Sequence, residues 1–498
     1  MANRCSLCGG TLRYNIQKQK LVCDYCDSEF DPENIEQMGG AKEEATPDST
    51  PDPQTQTETV GDSNVGETME ATVFTCPNCG AQVFTTDLDA VEYCSYCGTF
   101  VTLESHLAKL QKPSYIAPFT ITKEKCIELY KEQLKKAHFL PPDMKAEKTE
   151  NSFRNIYIPF WVYEINFDKD KELSFSTSES WSTYNYEYTQ KYTIKTKAAG
   201  HAAKFYDASA TLDDRIGDAI GDFPPENLLE YNSSYMAGAY ADVADVEKGV
   251  YQEEAVEKTF DEACDTIRDK FIQDYSTMPK RELKNKGIHN IFRFKEFTAK
   301  GNKNTMCTTQ AKLAMLPVWF MTTKTNGRLC YSVVNGCTGS MFTELPADGK
   351  KYCLASLLVS IPIFLYLELL FVITPRTLLG WVCFFSFIIL CSYGSICHKL
   401  KRKELRTDDK GYQQNHGKHK TYGTVEGMSF SMGAFLPILS IIISIFAILA
   451  DFAEDFIYYA LVFITLASVL LCILLMVKTY NRFCSRPIPR FFDKRKEV

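Results

Sequence analysis

Four CxxC pairs in two identically spaced sets, four apolar stretches long enough to cross a bilayer, and a middle region of strand-like runs lead to one prediction. The chain is a multidomain protein with two small zinc ribbons, an α+β cytoplasmic domain and a four-helix transmembrane region of two helical hairpins. Its 498 residues are 45% hydrophobic and 23% charged, ordinary values for a folded protein. A net charge of −7 argues against a protein built mainly to grip nucleic acid, whose footprint is basic.

The cysteines define the first elements. Cys5, Cys8, Cys23 and Cys26 recur with the same spacing as Cys76, Cys79, Cys94 and Cys97, with 14 residues between the pairs of each set. Tyr25 and Tyr96 precede the last cysteine of each copy, so this is a duplicated unit: ribbon 1 over 1–30 and ribbon 2 over 73–110. Two facing CxxC pairs supply the four thiolates that zinc takes tetrahedrally at about 2.3 Å. Four protein ligands leave no position for an activated water, so two structural zinc ions are expected. An iron centre takes the same ligand set, which leaves the metal open on ligands alone. Gly9, Gly80 and Gly98 directly follow a pair, where the chain must turn tightly; Asp27 stands at that position after Cys26. The N-terminus has no apolar h-region, so no secretory signal is expected and the thiols should stay reduced.

Residues 31–72 carry eleven acidic side chains, one lysine and no aromatic residue, and read as a disordered acidic linker that lets the ribbons move independently. Ribbon 1 has four basic and three acidic residues, and residues 71–110 have one lysine against four acids. Phosphate contacts dominate nucleic-acid affinity, so these modules favour protein partners.

Residues 111–350 read as the α+β domain. Thr122 is the expected N-cap of a helix reaching about Ala137, with Cys126, Ile127, Tyr130 and Leu134 on one face. A second amphipathic helix is expected from about Glu253 to Tyr275. Tyr184, Tyr186 and Tyr188 alternate with polar residues as in a half-buried strand, and Asn326-Gly327 and Asn335-Gly336 signal hairpins. Ile158-Pro159-Phe160-Trp161 and Leu316-Pro317-Val318-Trp319 form a weaker repeat, each expected to open a strand, where proline costs no ladder bond.

The stretches Cys353–Ile373, Leu378–Cys397, Ser429–Ala450 and Phe456–Val477 hold a single charge between them, Glu368. They pair as hairpins over 351–397 and 429–477, separated by a basic cytoplasmic loop, 398–428, and followed by a basic cytoplasmic tail, 478–498. Eight Lys/Arg against three acids in 398–420, and seven against two in the tail, put both termini in the cytoplasm by the positive-inside rule. The expected location is the inner membrane, multi-pass. Glu368 is read as interfacial before it is read as an ion site, because no second buried charge stands in any span. The basic run 280–312, with Phe292, Phe294 and Phe297, is either a surface for anionic membrane lipid or a solvated strand face. Cys126, Cys264, Cys307, Cys330 and Cys337 have no metal-like spacing and are expected to pack in the core or in hairpins. No HExxH, Walker A or GxGxxG motif and no nucleophile–base pair stands out, so no catalytic residue is assigned.

The paired CxxC units, then Tyr115-Ile116-Ala117-Pro118-Phe119, Leu212-Asp213-Asp214, Tyr235-Met236-Ala237-Gly238 and the two Pro-Trp segments, with Asn335-Gly336-Cys337-Thr338-Gly339, resemble bacterial membrane proteins of the TFIIB-type zinc-ribbon family. The resemblance covers about residues 71–400; Cys337 and Ser340 depart from its Gln and Lys, and the second hairpin is an addition. It implies association with PspA-type or SPFH-type membrane-stress proteins. The function expected is therefore a non-enzymatic adaptor that recruits cytoplasmic proteins to the inner membrane, as in an envelope-stress response. The alternatives are a membrane-tethered nucleic-acid-binding regulator and, third, a channel or transporter.

Overall fold

The computed structural model describes residues 4–34, 67–85, 94–100, 103–144, 152–168, 172–197, 200–276, 298–300, 307–325, 327–370, 375–416, 427–449 and 455–491. The first four-cysteine unit is a small antiparallel sheet of β1 (Leu12–Asn15), β2 (Lys20–Cys23) and β3 (Glu29–Phe30). The second is formed by β4 (Thr68–Thr75), β5 (Gln82–Thr85) and β6 (Glu104–Gln111), with β4 between the other two. The linker expectation needs correcting at its end. Residues 68–72 are strand, because Met69, Ala71 and Val73 alternate toward an apolar cluster and pair with β6. Residues 35–66 lie outside the described residues.

The main sheet continues with β7 (Tyr115–Ile116), β8 (Arg154–Phe167), β11 (His201–Asp207), β12 (Leu229–Glu230), β13 (Tyr240–Asp242), β15 (Cys307–Thr325), β16 (Arg328–Asn335) and β17 (Met341–Thr343). A separate sheet joins β9 (Glu172–Ser182), β10 (Glu187–Lys197) and β14 (Thr298–Lys300). Helix α1 (Lys123–Lys136) starts at its expected cap, where the Thr122 hydroxyl accepts from the Lys125 N–H, and it buries Cys126 and Tyr130. After the short α2 (Asp214–Ile220), helix α3 spans Gln252–Ser276, a residue from the expected limits, and buries Ala255, Val256, Phe260 and Cys264.

Strands β8 and β15 run antiparallel through the centre, with Ile158 opposite Leu316. Ile156, Ile158, Phe160 and Val162 pack on one face with Ala314, Leu316, Val318 and Phe320. Tyr157, Met315 and Trp319 pack on the other. Burial on both faces explains the near-continuous apolar runs.

The two Pro-Trp segments prove to be equivalent parts of two interlocked halves. Tyr115 pairs in parallel with Ala314, and Tyr240 with Ile156; the shift that carries Pro159 onto Pro317 carries Ile156 onto Ala314. The Trp161 indole donates to the Val246 carbonyl and the Trp319 indole to the Ile121 carbonyl, both at 2.8 Å. The short strand of each half is thus exchanged onto the long strand of the other. Both prolines sit mid-strand rather than at a strand start, a correction with a simple cause. Pro159 lies where β13 pairing ends and β11 pairing begins, and Pro317 where β7 ends and β16 begins. A missing N–H costs nothing at such a gap, and the carbonyls still accept, from Ala208 and Gly336, each at 2.8 Å.

A second correction concerns the tyrosines. Tyr184 and Tyr186 are exposed at the turn between β9 and β10, and only Tyr188 lies in a strand, also exposed. Asn335 closes β16 from a fully buried position: its Oδ1 accepts from Cys337 and Thr338, and its Nδ2 donates to the Ile220 carbonyl at 2.7 Å.

Helices α4 (Gly349–Leu370), α5 (Pro375–Glu404), α7 (Gly427–Leu449) and α8 (Asp455–Phe483) fall on the four apolar stretches, with the short α6 (Lys410–His416) after α5. Leu354, Ile361, Trp381, Phe387, Ile442 and Phe463 are exposed on them. Among the described residues one helix, Leu379–Glu404, is long and apolar enough to cross a membrane. The four-span expectation is corrected accordingly: among the described residues one helix has the length and composition of a span, and the described apolar part of α7, Pro437–Leu449, is shorter than a bilayer crossing. The Glu368 side chain, Phe292, Phe294, Phe297 and most of 280–306 lie outside the described residues.

Two substitutions test this packing. A Cβ at Gly336 meets the Phe119 ring at 2.7 Å and the Pro317 carbonyl at 2.8 Å, whereas one at Gly249 meets nothing within 4 Å. Gly336→Ala should cost about 1–3 kcal/mol in chemical denaturation, and Gly249→Ala should not destabilise. The residue equivalent to Asn335 in the other half is Asp207, buried, with Oδ2 lacking a hydrogen-bond partner. Burial first, then the Asp214 and Asp409 carboxylates, push Asp207 well above the ordinary carboxylate range. The stability it contributes is fully present below the unfolded value of about 4 and is lost as pH rises toward the folded value. Asp207→Asn should raise the melting temperature at neutral pH and flatten that pH dependence.

Candidate metal centres and their docking

All four knuckles fold alike. The N–H of Cys5, Cys23, Cys76 and Cys94 donates to the carbonyl of Gly10, Ser28, Ala81 and Thr99, respectively. The N–H of Gly9, Asp27, Gly80 and Gly98 donates back to the cysteine four residues earlier. Those four residues have φ of 75°, 55°, 81° and 66°. Only the left-handed region closes this turn, so three of the positions are glycine and the fourth is Asp, one of the side chains that tolerates it.

The turns bring Cys5, Cys8, Cys23 and Cys26 together, and likewise Cys76, Cys79, Cys94 and Cys97, with all sulfurs of a group within 4.8 Å of one another. Sulfur separations are 3.6 and 3.4 Å in the first group and 3.8 and 3.7 Å in the second. Four thiolates at about 2.3 Å from one ion would stand about 3.8 Å apart, so both groups are shaped to hold a metal ion. The hydroxyl and then the backbone N–H of Ser28 lower the Cys26 thiol to about 6, favouring the ligating thiolate.

The two copies differ in their surroundings. In the second, all four cysteines are buried, and β5 pairs with β13, so the unit extends the main sheet. Tyr96 is 0% exposed, and its hydroxyl donates to Asp242 Oδ2 at 2.6 Å. The same oxygen accepts from Ser209 at 2.5 Å and Thr211 at 2.6 Å. Burial raises the Asp242 pKa, and the three hydroxyls oppose that rise. The Tyr331 hydroxyl donates to the Tyr96 carbonyl at 2.7 Å, the Thr322 hydroxyl to the Ser95 carbonyl, and the Phe491 N–H to the Cys79 carbonyl. The expectation that both units move on the acidic linker is thus corrected for the second, which this network fixes to the domain.

The first copy docks more lightly. The Tyr14 N–H donates to the Ala237 carbonyl at 3.0 Å, Gln19 Nε2 donates to the Phe119 carbonyl at 2.7 Å, and Tyr14 meets Tyr235 edge to face. Cys8 and Cys26 stay exposed, as do Leu7 at 73% and Tyr25 at 88%. Tyr25 and Tyr96 hold the same place in the motif with opposite burial. The sequence flagged both tyrosines, but nothing in it pointed to Asp242, Ser209 or Thr211, which become neighbours only when β13 reaches the second unit.

Metal release should therefore be biphasic. A chelating dye should take one equivalent quickly, abolished by Cys8→Ser, and a second only as the domain unfolds. Tyr96→Phe should lower global stability by about 1–3 kcal/mol, through a weakened set of donors to a buried carboxylate.

No family profile matches this chain, and no solved structure matches it. It is similar to the uncharacterized protein YdjG of Bacillus subtilis (strain 168), 23% identical over 255 residues, which cover 50% of this chain and 67% of that protein.

Proposed function

We propose that this protein is a non-enzymatic membrane-anchored adaptor whose first four-cysteine unit recruits a cytoplasmic protein partner, while the second serves as a structural part of its body. The observation that carries this reading is the contrast between the copies at matched positions: all four cysteines and Tyr96 are buried in the second, whereas Cys8, Cys26 and Tyr25 are exposed in the first, beside the exposed Leu7. An exposed tyrosine on a small rigid module suits a protein-binding surface, where tyrosine is enriched among the residues that carry binding energy. Zinc is the metal of this reading, as the usual ion of paired CxxC knuckles; the sulfur separations suit a tetrahedral four-sulfur site. Helix α5, whose Leu379–Glu404 part is long and apolar enough to cross a membrane, supports a membrane anchor; a multi-pass arrangement with cytoplasmic termini follows from the apolar stretches and basic flanks of the sequence alone. Partners of the PspA or SPFH type follow from the family resemblance alone.

The test is capture from native membranes with the full chain and a Leu7→Asp, Tyr25→Asp variant, which leaves all eight cysteines in place. Defined cytosolic proteins should co-purify with the parent and be lost with the variant. Recovery of nucleic acid in their place would establish the regulator reading, and partners indifferent to the variant would move recruitment elsewhere in the chain. A reporter fused after Val498 should behave as cytoplasmic and one inserted at Asp451 as external; the reverse would overturn the topology.

A further inference from the structure

Where the apolar runs of α5 and α8 end, the chain returns to the domain as a charged seam. The Arg486 N–H and carbonyl pair with those of Leu329, at 2.8 and 2.9 Å, and fix the tail to β16. Ion pairs in this seam are shared: Glu344 serves Lys403 and Arg486, Glu404 serves Arg328 and Arg482, Asp213 serves Arg215 and Arg486, and Asp409 serves Arg406. Six cations thus face four carboxylates. The side chains of Lys403 and Arg486 are each 6% exposed, and buried charge in excess of its partners is costly.

A cavity of about 620 Å³ opens on this excess, lined by Arg328, Lys403, Arg406, Arg486 and Arg490, with Asp213 and Glu404 its acids. A second cavity of about 570 Å³ shares Arg328 and Ser485 with it, and adds Lys478 and Arg482 beside the apolar Leu474 and Val477. The carbonyls that end α8 do not repel an anion here, because Arg328 donates to those of Arg482 and Ser485, and Lys403 to that of Phe483. Arg490 and Lys478 are exposed and make no ion pair among the described residues.

We infer that this pair of cavities binds a phosphate-bearing anion, and that the anion is the headgroup of an anionic phospholipid whose chains leave along Leu474 and Val477. Arginine donors suit phosphate oxygens, and basic pockets at the cytoplasmic ends of membrane helices recognise anionic headgroups. The choice of lipid over a soluble phosphate ester rests on the membrane-anchored reading; the phosphate site does not.

The test uses the full chain in neutral detergent, with phosphatidylglycerol, phosphatidylcholine or inorganic phosphate as the probe. Thermal unfolding and native mass spectrometry provide the readouts. Phosphatidylglycerol should raise the unfolding midpoint and persist as a bound adduct, and phosphatidylcholine should do neither. The double variant Lys478→Gln, Arg490→Gln breaks no ion pair; it should weaken phosphatidylglycerol retention about tenfold or more and leave the lipid-free midpoint unchanged. Inorganic phosphate matching the lipid's stabilisation would keep the site and assign it to a soluble ester. Equal retention of the two lipids, or undiminished retention by the variant, would overturn it. Membrane fractionation of the cells separately decides the anchor, so its failure is distinguishable from failure of the site.

Discussion

The antiparallel pairing of β8 with β15 is the constraint on which the rest of the molecule depends. Both strands are buried on both faces, so each must be covered by elements from elsewhere in the chain. The cover is reciprocal, because β7 of one half lies on β15 and β13 of the other lies on β8. Exchanged strands make the halves inseparable, and neither can complete its sheet alone. The matched indole bonds of Trp161 and Trp319 fix the loops after the exchanged strands in the same way.

This frame also explains why two copies of one four-cysteine motif sit in different surroundings. β13 is exchanged onto β8 on one side and accepts β5 on the other, so the second four-cysteine unit is joined to the sheet by backbone hydrogen bonds. Its Tyr96 then fills the core and reaches Asp242 on β13. The first unit meets the domain through a backbone bond from Tyr14 to Ala237 and through side chains, and keeps Cys8 and Cys26 in solvent. A metal ion in the first would order about 30 residues, a size at which a small module depends on its metal; one in the second would be held by the whole domain.

The charged seam joins the helices to the same sheet. Arg486, Glu344 and Lys403 are buried together, and the tail sets Phe491 against Tyr96 of the second four-cysteine unit. Metal unit, sheet and helix ends are therefore one connected body, and a charge placed at the helix ends is felt at β16.

The sequence by itself determined the local chemistry. Cysteine spacing and the glycines after each pair specified both metal groups, because a knuckle closes within six residues. The cap at Thr122 and the apolar stripes specified α1 and α3, because a helix bonds only to itself over four residues. Tertiary structure decided what distance in sequence conceals. Pro159 and Pro317 read as strand starts, yet lie mid-strand, because the gaps that tolerate them are made by four other strands. The acidic composition of 31–72 outweighed the alternation of Met69, Ala71 and Val73, whose partner strand begins only at Glu104. Tyr25 and Tyr96 are the same residue in the same motif, and which one is buried depends on an edge of the sheet that no local pattern records. Short-range geometry is written residue by residue, whereas burial is a property of which distant strands meet.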